Sequence, residues 1–481
     1  MDGLTSTPVR PAAPSPSRRR PGVLRRAGAA VLLAGALGLA AAPVVRAQAV
    51  AAGAPNLIRD TEIEEIIHGQ VDPVFVAAGL NPKDVKVFML GDKTLNAGAT
   101  AGEAIFINTG LIQETQTPNQ LIGVLAHETG HIAGGHMVRA GEMQAAGLKP
   151  FLLTMGLGIL AAAAGAPDAA AALLSSASQF GELGALTYSR EQESRADQAA
   201  VTYLEKAHIS ARGLVEFFDN FRYEEVFSEA RRFPFFQSHP ISGERIELLR
   251  RRAEEQPSYK QVDTPEAIAQ HAIMKAKLDA FMNPPGLTFA KYKESDTSFP
   301  SRYARAIAYY KALDTDRAIK AIDALIADQP QNPYLYELKG QVYFEAGKPQ
   351  EAEAPHRKSV ELKPDAPLLR VNLAQTLLAE EERDKDKEKL DDAINVLEGA
   401  LAVEKDNSFA WRLMSQARDA RGESGAARLA AAEEHYSVGD LAQARIFAMR
   451  ARDLLPKDTP EWRRATDIVL VADPKDKNNR G

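Results

Sequence analysis

A regular spacing of alanines and prolines in the last third of the chain narrows its fold more than any other feature. Four alanines are separated by 34, 41 and 34 residues: Ala318, Ala352, Ala393 and Ala427. Pro330 and Pro364 are also 34 residues apart. A fixed period of this length predicts short paired helices that stack on their neighbours into an α-helical solenoid.

A period of 34 residues is that of the tetratricopeptide repeat, a pair of antiparallel helices. Four to five pairs fill residues 301–472, with a last helix near Trp462 as the cap. The 41-residue step contains the charged run 380–392, which predicts a lengthened helix turn inserted into one repeat. Residues 473–481 are predicted to be a disordered tail.

Length and composition limit what the rest of the chain can be. With 481 residues it is too long for one ordinary core, so two or three domains are expected. It contains no cysteine, which excludes thiol catalysis, disulfides and cysteine-ligated zinc. Any metal must therefore be held by His, Asp and Glu.

The N-terminal region has the pattern of an export signal. Five arginines lie within residues 18–26, an apolar stretch covers 27–42, and small residues follow. We predict a signal peptide over 1–47, cleaved after Ala47 or Ala49, although a membrane anchor is the alternative. Its removal would delete seven Arg and one Asp and shift the net charge from −6 to −12. Nucleic acid is therefore not an expected partner.

Residues 50–255 are predicted to form a compact domain of helices plus a small β-sheet. Strand patterns cover 85–90 and 104–108, and Pro118 opens a helix that continues through residue 131. Residues 256–300 are predicted to be a linker helix. The predicted fold class is thus mainly α, with an α-helical solenoid after the first domain.

The residues that indicate chemistry lie in the helix that follows Pro118. His127 and His131 are four positions apart, so both imidazoles lie on one helix face and can bind one zinc ion. Glu128 lies about 100° round the helix, where it can take a proton from zinc-bound water. This spacing predicts a zinc hydrolase.

A catalytic zinc needs a third protein ligand, and two candidates compete. His136 is nine positions after His127, and in a continuous helix it would project about 180° away. Glu193 is the better candidate, because Asp197 lies four positions later and could hydrogen-bond the outer nitrogen of a ligand histidine. A solvated charged helix face is the alternative for that pair.

Several motifs together carry a family resemblance. An HExxH sequence is followed some sixty residues later by Tyr-Ser-Arg-x-x-Glu-x-x-Ala-Asp at 188–197. Ser-His-Pro at 238–240 and Glu-Arg-Ile at 244–246 complete the set. The chain resembles the gluzincin family of CAAX prenyl endopeptidases and HtpX heat-shock proteases. The export signal and repeats narrow the resemblance to the periplasmic β-barrel assembly-enhancing type.

That resemblance implies one Zn²⁺ per chain, held by His127, His131 and Glu193. It implies Glu128 as general base and acid, with Asp197 supporting a ligand. It also implies a substrate-binding edge strand made of five residues: Ala104, Ile105, Phe106, Ile107 and Asn108.

Two features allow more than one interpretation. His239 precedes Pro240 in a loop, and it could bond the oxyanion, cap the metal in a self-inhibited state or be structural. The apolar segment 151–174 could form a lid over the cleft or contact the membrane peripherally. It is too short to span a bilayer, because Gly165 to Asp168 interrupt the apolar run.

The predicted function is a periplasmic zinc endopeptidase for misfolded or stalled envelope proteins, with a role in outer-membrane quality control. Its partners would be protein substrates, β-barrel precursors and their assembly machinery, which would dock on the repeats. The alternative is a repeat-based assembly chaperone whose protease site is normally latent and capped by His239.

Overall fold

The computed structural model describes residues 56–100, 102–136, 148, 152–155, 167–221, 239–240, 242–384 and 386–472. The predicted signal peptide and C-terminal tail lie outside the described residues, as do residues 156–166 of the apolar segment. Among the helices of the described part, none combines the length and apolar character needed to cross a bilayer. The predicted fold class, mainly α with a small sheet and a helical-repeat region, is confirmed.

The sheet has four strands among the described residues. They are β1 (Leu57–Ile58), β2 (Lys86–Leu90), β3 (Ala97–Thr100) and β4 (Ala104–Asn108). Their order is β1-β2-β4-β3. β2 and β4 run parallel, with Lys86 opposite Ala104, and β3 pairs antiparallel with β4.

This order corrects the expectation that 104–108 is the substrate-binding edge. Ala104, Ile105, Phe106, Ile107 and Asn108 form β4, whose backbone is paired on both sides by β2 and β3. A strand with two partners has no free donors or acceptors for a substrate. The free edge beside the helix with the histidines belongs to β3, which follows β2 in sequence but is separated from it by β4.

Six helices of the described residues surround this sheet. They are α1 (Thr61–Ala77), α2 (Thr109–Glu114), α3 (Pro118–Ala133), α4 (Pro167–Lys206), α5 (Arg212–Phe221) and α6 (Gly243–Glu254). α3 begins where Pro118 occupies the first turn and the Thr117 side chain accepts a hydrogen bond from the Gln120 backbone N–H. From Pro118 to His131 every residue of α3 is buried, so α3 is the central helix of the domain.

The region predicted as a linker contains α7 (Pro265–Met282) and α8 (Pro285–Lys291). α7 contributes to two cores. Met274 and Leu278 pack with the apolar residues of the sheet and α1–α6, whereas Ala276 and Ala280 pack against the first repeat helices. Because one rigid helix belongs to both cores, it joins the two regions as a shared element.

Ten helices follow in the described part of the repeat region. They are α9 (Phe299–Lys311), α10 (Thr315–Asp328), α11 (Pro333–Glu345), α12 (Pro349–Leu362), α13 (Pro367–Asp384), α14 (Lys387–Val403), α15 (Ser408–Ala420), α16 (Ser424–Ser437), α17 (Leu441–Leu454) and α18 (Pro460–Val471). The periodic alanines lie buried on α10, α12, α14 and α16, where small side chains let helices approach closely. The charged run lies in α13 and α14, whose 18 and 17 residues exceed the 13 or 14 of the preceding repeat helices.

A buried polar group links α1, α7 and the first repeats, and we call it the junction cluster. It comprises Asp60, Glu62, Lys277, Tyr303 and Glu337. Lys277 Nζ donates to Asp60 Oδ1 at 2.8 Å and to Glu62 Oε2 at 3.0 Å. The Tyr303 hydroxyl donates to Glu62 Oε2 at 3.0 Å. These bonds tie the repeat region to the domain that carries the histidines.

Candidate metal centre

α3 brings three of the predicted site residues to the centre of the domain. His127 and Glu128 are fully buried and His131 is 6 % exposed. The imidazoles of His127 and His131 lie one turn apart, and their Nε2 atoms are 3.1 Å from each other. The predicted one-face arrangement of the two histidines is therefore present in the structure.

α4 supplies the carboxylates, and a glycine of α3 allows it to come close. A Cβ on Gly130 would lie 2.8 Å from the carbonyl oxygen of Ala196, so a larger residue there would push α4 away. Glu193 Oε2 lies 3.4 Å from His127 Nε2, and its Oε1 lies 3.3 Å from His131 Nε2. Asp197 Oδ1 accepts from His127 Nδ1 at 2.9 Å. The structure thus brings the predicted Glu193 and Asp197 together with the histidines.

His239 completes the group from the loop that precedes α6. Its Nδ1 lies 3.2 Å from His127 Nε2 and 2.9 Å from Glu193 Oε2. Its Nε2 lies 3.5 Å from Glu128 Oε1. One ligand atom from each of His127, His131, Glu193 and His239 falls within 4.8 Å of the others, and all four residues are buried.

This donor set fits a metal ion. Imidazole nitrogens and carboxylate oxygens face one another at short range. A neutral imidazole carries a proton on only one of its two nitrogens, so the other nitrogen has a free lone pair. A cation at the meeting point would satisfy the remaining lone pairs. Burial alone would lower the pKa of His127, but hydrogen bonds to Asp197 and Glu193 raise it to about 9. That rise reflects the two carboxylates that lie against the imidazole.

The other groups respond to the same environment. Burial lowers the pKa of His131. Burial opposes ionisation of Glu193, but its hydrogen bonds with the surrounding histidines hold the pKa of this carboxyl far below its usual range. Burial likewise opposes ionisation of Asp197, but Arg245 and His127 lower its pKa. Both carboxylates are therefore charged at neutral pH.

Glu128 is placed differently from the other carboxylates. Its Oε2 accepts from the Ala99 backbone N–H at 2.9 Å, which ties it to β3. Its Oε1 is buried and has no hydrogen-bond partner among the described residues. An unsatisfied buried carboxylate oxygen beside a group of metal-ligating atoms is suited to hold or move a proton.

Arg245 on α6 is a site residue to which the sequence patterns gave no role. Its Nε and Nη2 donate to the two oxygens of Asp197 at 2.6 and 2.9 Å. Its Nη1 lies 3.1 Å from Glu193 Oε2 and donates to the Pro240 carbonyl at 2.9 Å. The guanidinium also packs over Phe218. The sequence signal was present, as an arginine six residues after the loop histidine in the Glu-Arg-Ile motif.

His136, the alternative third ligand, lies outside the group of four. Its Nδ1 is 2.9 Å from the outer nitrogen, Nδ1, of His131. Burial and the neighbouring His131 lower the pKa of His136 to about 4. The chain therefore brings His136 to the outer side of His131 and not to the point where the four candidate ligand atoms meet.

Two regions of the chain match known protein families. Residues 58–253 match the model of peptidase family M48, and residues 303–367 match a tetratricopeptide repeat model. The chain is 27 % identical over 376 residues to a protein of Vibrio cholerae serotype O1, covering 76 % of this chain and 75 % of that one. It is 23 % identical over 374 residues to the beta-barrel assembly-enhancing protease of Escherichia coli (strain K12), covering 74 % and 72 %. It is 34 % identical over 175 residues to the E. coli metalloprotease YcaL, covering 36 % and 62 %.

Proposed function

Because the chain is a metalloendopeptidase with an M48 peptidase domain and tetratricopeptide repeats, we propose that it is a zinc endopeptidase of the bacterial periplasm. We assign zinc to His127, His131 and Glu193, and the general base to Glu128. The observation that carries this proposal is the buried convergence of these ligand atoms beside Glu128 Oε1, which accepts no hydrogen bond among the described residues.

The choice of zinc rests on the donor set and its spacing. Ligand atoms about 2.0–2.1 Å from a tetrahedral zinc lie roughly 3.3 Å from one another. The two imidazole Nε2 atoms lie 3.1 Å apart, and each lies 3.3 or 3.4 Å from one of the two Glu193 oxygens, which is close to that spacing. Two imidazoles and one carboxylate are a common ligand set of catalytic zinc, which keeps a fourth position open.

Each residue of the site then has a defined task. Bound zinc supplies a Lewis acid that polarises the scissile carbonyl and activates water. Glu128 Oε1 accepts the proton of the attacking water and returns it to the leaving amine. Asp197 holds His127 in the tautomer whose Nε2 is free to bind metal. Arg245 fixes both α4 carboxylates.

β3 is the strand on which an extended substrate would pair. Its outer side is unpaired in the described sheet, and the Ala99 N–H reaches Glu128 directly. A peptide added at this edge would run past the catalytic carboxylate by β-strand addition. This assignment replaces residues 104–108 in the role expected for them.

The substrates we propose are misfolded or stalled envelope proteins, including outer-membrane β-barrel precursors. The name of the E. coli relative, the predicted export signal and the repeat region support this proposal. Stacked helix pairs offer an extended surface for protein partners. The assembly machinery of the outer membrane would be one such partner.

One observation favours the second candidate, a repeat-based chaperone with a latent protease site. His239 Nδ1 lies 2.9 Å from Glu193 Oε2 and 3.2 Å from His127 Nε2, so its imidazole would compete with water or substrate for a metal held by these residues. In that form His239 would cap the metal, and proteolysis would require the loop to move.

The test compares zinc content and casein cleavage of wild type and Glu128→Gln. We expect one zinc per chain in both proteins and a loss of cleavage of at least about 10³-fold in the variant, because only the proton acceptor is removed. Glu191→Gln, an exposed carboxylate on the same α4, is the matched control and should cleave normally. Cleavage by Glu128→Gln at the wild-type rate would contradict the assignment.

A third variant, His239→Ala, separates the two candidates. A faster rate with unchanged zinc content indicates a capping histidine, and a slower rate indicates an oxyanion donor. If client binding survives in Glu128→Gln while cleavage is absent, the chaperone activity is independent of the metal centre.

A further inference from the structure

The C-terminal end of α3 turns back on itself in a way that serves the metal centre. α3 ends at Ala133, and Gly135 adopts the left-handed conformation with φ +64°. The His136 backbone N–H donates to the His131 carbonyl at 3.1 Å, which closes a Schellman-type helix end. This turn reverses the chain so that residue 136 returns to the last turn of α3.

The two glycines of this turn are needed for the position of the His136 ring. A Cβ on Gly134 would lie 2.5 Å from His136 Nε2, so a side chain there would displace the imidazole. Gly135 supplies the positive φ that other residues rarely adopt. The sequence Gly134-Gly135-His136 thus forms a compact loop that places one imidazole against another.

The hydrogen bond between the two rings has a required direction. The Nε2 of His131 faces His127 and Glu193, so this nitrogen must be unprotonated to bind metal. The proton of neutral His131 is then on Nδ1. His136 Nδ1, 2.9 Å away, must accept it. His136 therefore selects the metal-binding tautomer of His131 through a neutral acceptor.

We propose that His136 is a positioning residue for the metal ligand His131, in the same way that Asp197 is for His127. This inference rests on the proposed zinc site. The two ligand histidines then differ in the group that supports them. The outer nitrogen of His127 faces the buried carboxylate of Asp197, whereas that of His131 faces the neutral imidazole of His136. His136 touches neither substrate nor metal, and it acts through the orientation and tautomer of His131.

The test uses two substitutions of the full-length chain that separate hydrogen bonding from packing. His136→Asn keeps an acceptor at the position of Nδ1 but loses the ring. His136→Phe keeps the ring but loses the acceptor. His68→Phe, a histidine that bonds Asp72 on α1 of the same domain, is the matched control. The zinc dissociation constant is measured by competition with a chromophoric chelator, and the visible spectrum of the cobalt-substituted protein reports ligand geometry.

We expect His136→Phe to weaken zinc binding about 10- to 100-fold and to shift the cobalt spectrum. His136→Asn should remain within roughly 3-fold of wild type, with the wild-type spectrum, because a neutral acceptor is retained. The control should match wild type in both measurements.

Other outcomes overturn the inference. If Phe preserves affinity and Asn loses it, His136 acts by packing; if both lose it equally, the imidazole itself is required as a ligand. If both preserve it, the hydrogen bond has no role in metal binding. A wild-type protein that binds no zinc would instead overturn the proposed function, so the two failures are distinguishable.

Discussion

The metal centre and the junction cluster each set three buried or partly buried carboxyl groups against a single permanent cation. In the metal centre Arg245 contacts Glu193 and Asp197, and its charge also acts on Glu128. In the junction cluster Asp60, Glu62 and Glu337 share Lys277. In both clusters, carboxylates left without a counter-charge would lower the stability of the folded chain.

The two clusters neutralise that charge by different means. In the junction cluster burial raises the pKa of Glu337 to about 8, so one carboxyl holds a proton at neutral pH, and Asn372 donates to Glu337 at 3.0 Å. In the metal centre the pKa values of Glu193 and Asp197 are lowered, so these groups stay ionised. The junction cluster is complete without a ligand, whereas the metal centre calls for a bound cation.

Removing the single cation of the junction cluster should have the largest effect on stability. In Lys277→Met, the buried Glu62 and the partly buried Asp60 would be left without their counter-charge, and removing one partner of a buried pair typically costs about 3–5 kcal/mol of unfolding free energy. Urea denaturation monitored by circular dichroism, with and without zinc, measures this loss. The loss should be the same in both conditions, and exposed Lys293→Met is the control. A loss that zinc reverses would contradict the separation of the two clusters.

Removing the single cation of the metal centre should reduce catalysis. Arg245→Met deletes the donors to Asp197, Glu193 and the Pro240 carbonyl, and we expect cleavage to fall about 10- to 100-fold through loss of ligand positioning. Arg245→Lys should not restore the rate, because one ammonium cannot reproduce the bidentate contact. Steady-state cleavage of casein at saturating zinc is the measurement, with Arg252→Met as the control on α6. Full activity in Arg245→Met would show that α4 needs no such support.

The proton held by Glu337 makes the junction cluster sensitive to pH. Its pKa in the folded chain, about 8, lies above that of the unfolded chain, so its contribution to stability is complete at low pH and is lost as pH rises through 8. Glu337→Gln removes this titration. Compared with wild type, the variant should gain about 2–3 kcal/mol between pH 6 and pH 9, since each of the two pH units from 6 up to the pKa corresponds to about 1.4 kcal/mol. Parallel pH dependences of the two proteins in urea denaturation would argue against a protonated Glu337.

A pair at the surface between the two regions should matter least. Arg59 Nη1 lies 2.7 Å from Glu404 Oε1, with both side chains partly exposed. Glu404→Gln should cost no more than about 1 kcal/mol, and the difference should shrink in high salt. Denaturation at low and high sodium chloride tests this. A larger loss would mean that surface pairs, and not the junction cluster, hold the repeats to the peptidase domain.

Much of the site could be predicted from spacing along a single helix. His127, Glu128 and His131 needed only the 3.6-residue period of α3, and Glu193 with Asp197 needed only the same period on α4. The close approach of α4 to α3 could not be predicted from this spacing. It depends on a glycine of the HExxH motif, Gly130, whose missing side chain has meaning only when the two helices are already packed together.

The strand that faces the site shows the limit of local patterns. Ala104 to Asn108 has an apolar strand pattern, and the sequence correctly indicated a strand there. Its position between β2 and β3 depends on pairing between distant segments, so local pattern could not distinguish an inner strand from an edge. The same limit applies to the region 256–300. That α7 belongs to two cores could not be predicted locally, because it depends on contacts with α1 and α9.

The amino-acid sequence by itself determined the periodic repeats, the absence of cysteine ligands and the residue types able to hold a metal. These are properties of local spacing and of composition. The tertiary structure alone decided which strand borders the site, that Arg245 contacts Asp197 and Glu193, and that His136 lies against His131 and outside the group of four. These arrangements join residues that are distant in the chain or separated by a tight turn, and their free energy comes from burial and charge pairing that exist only after packing.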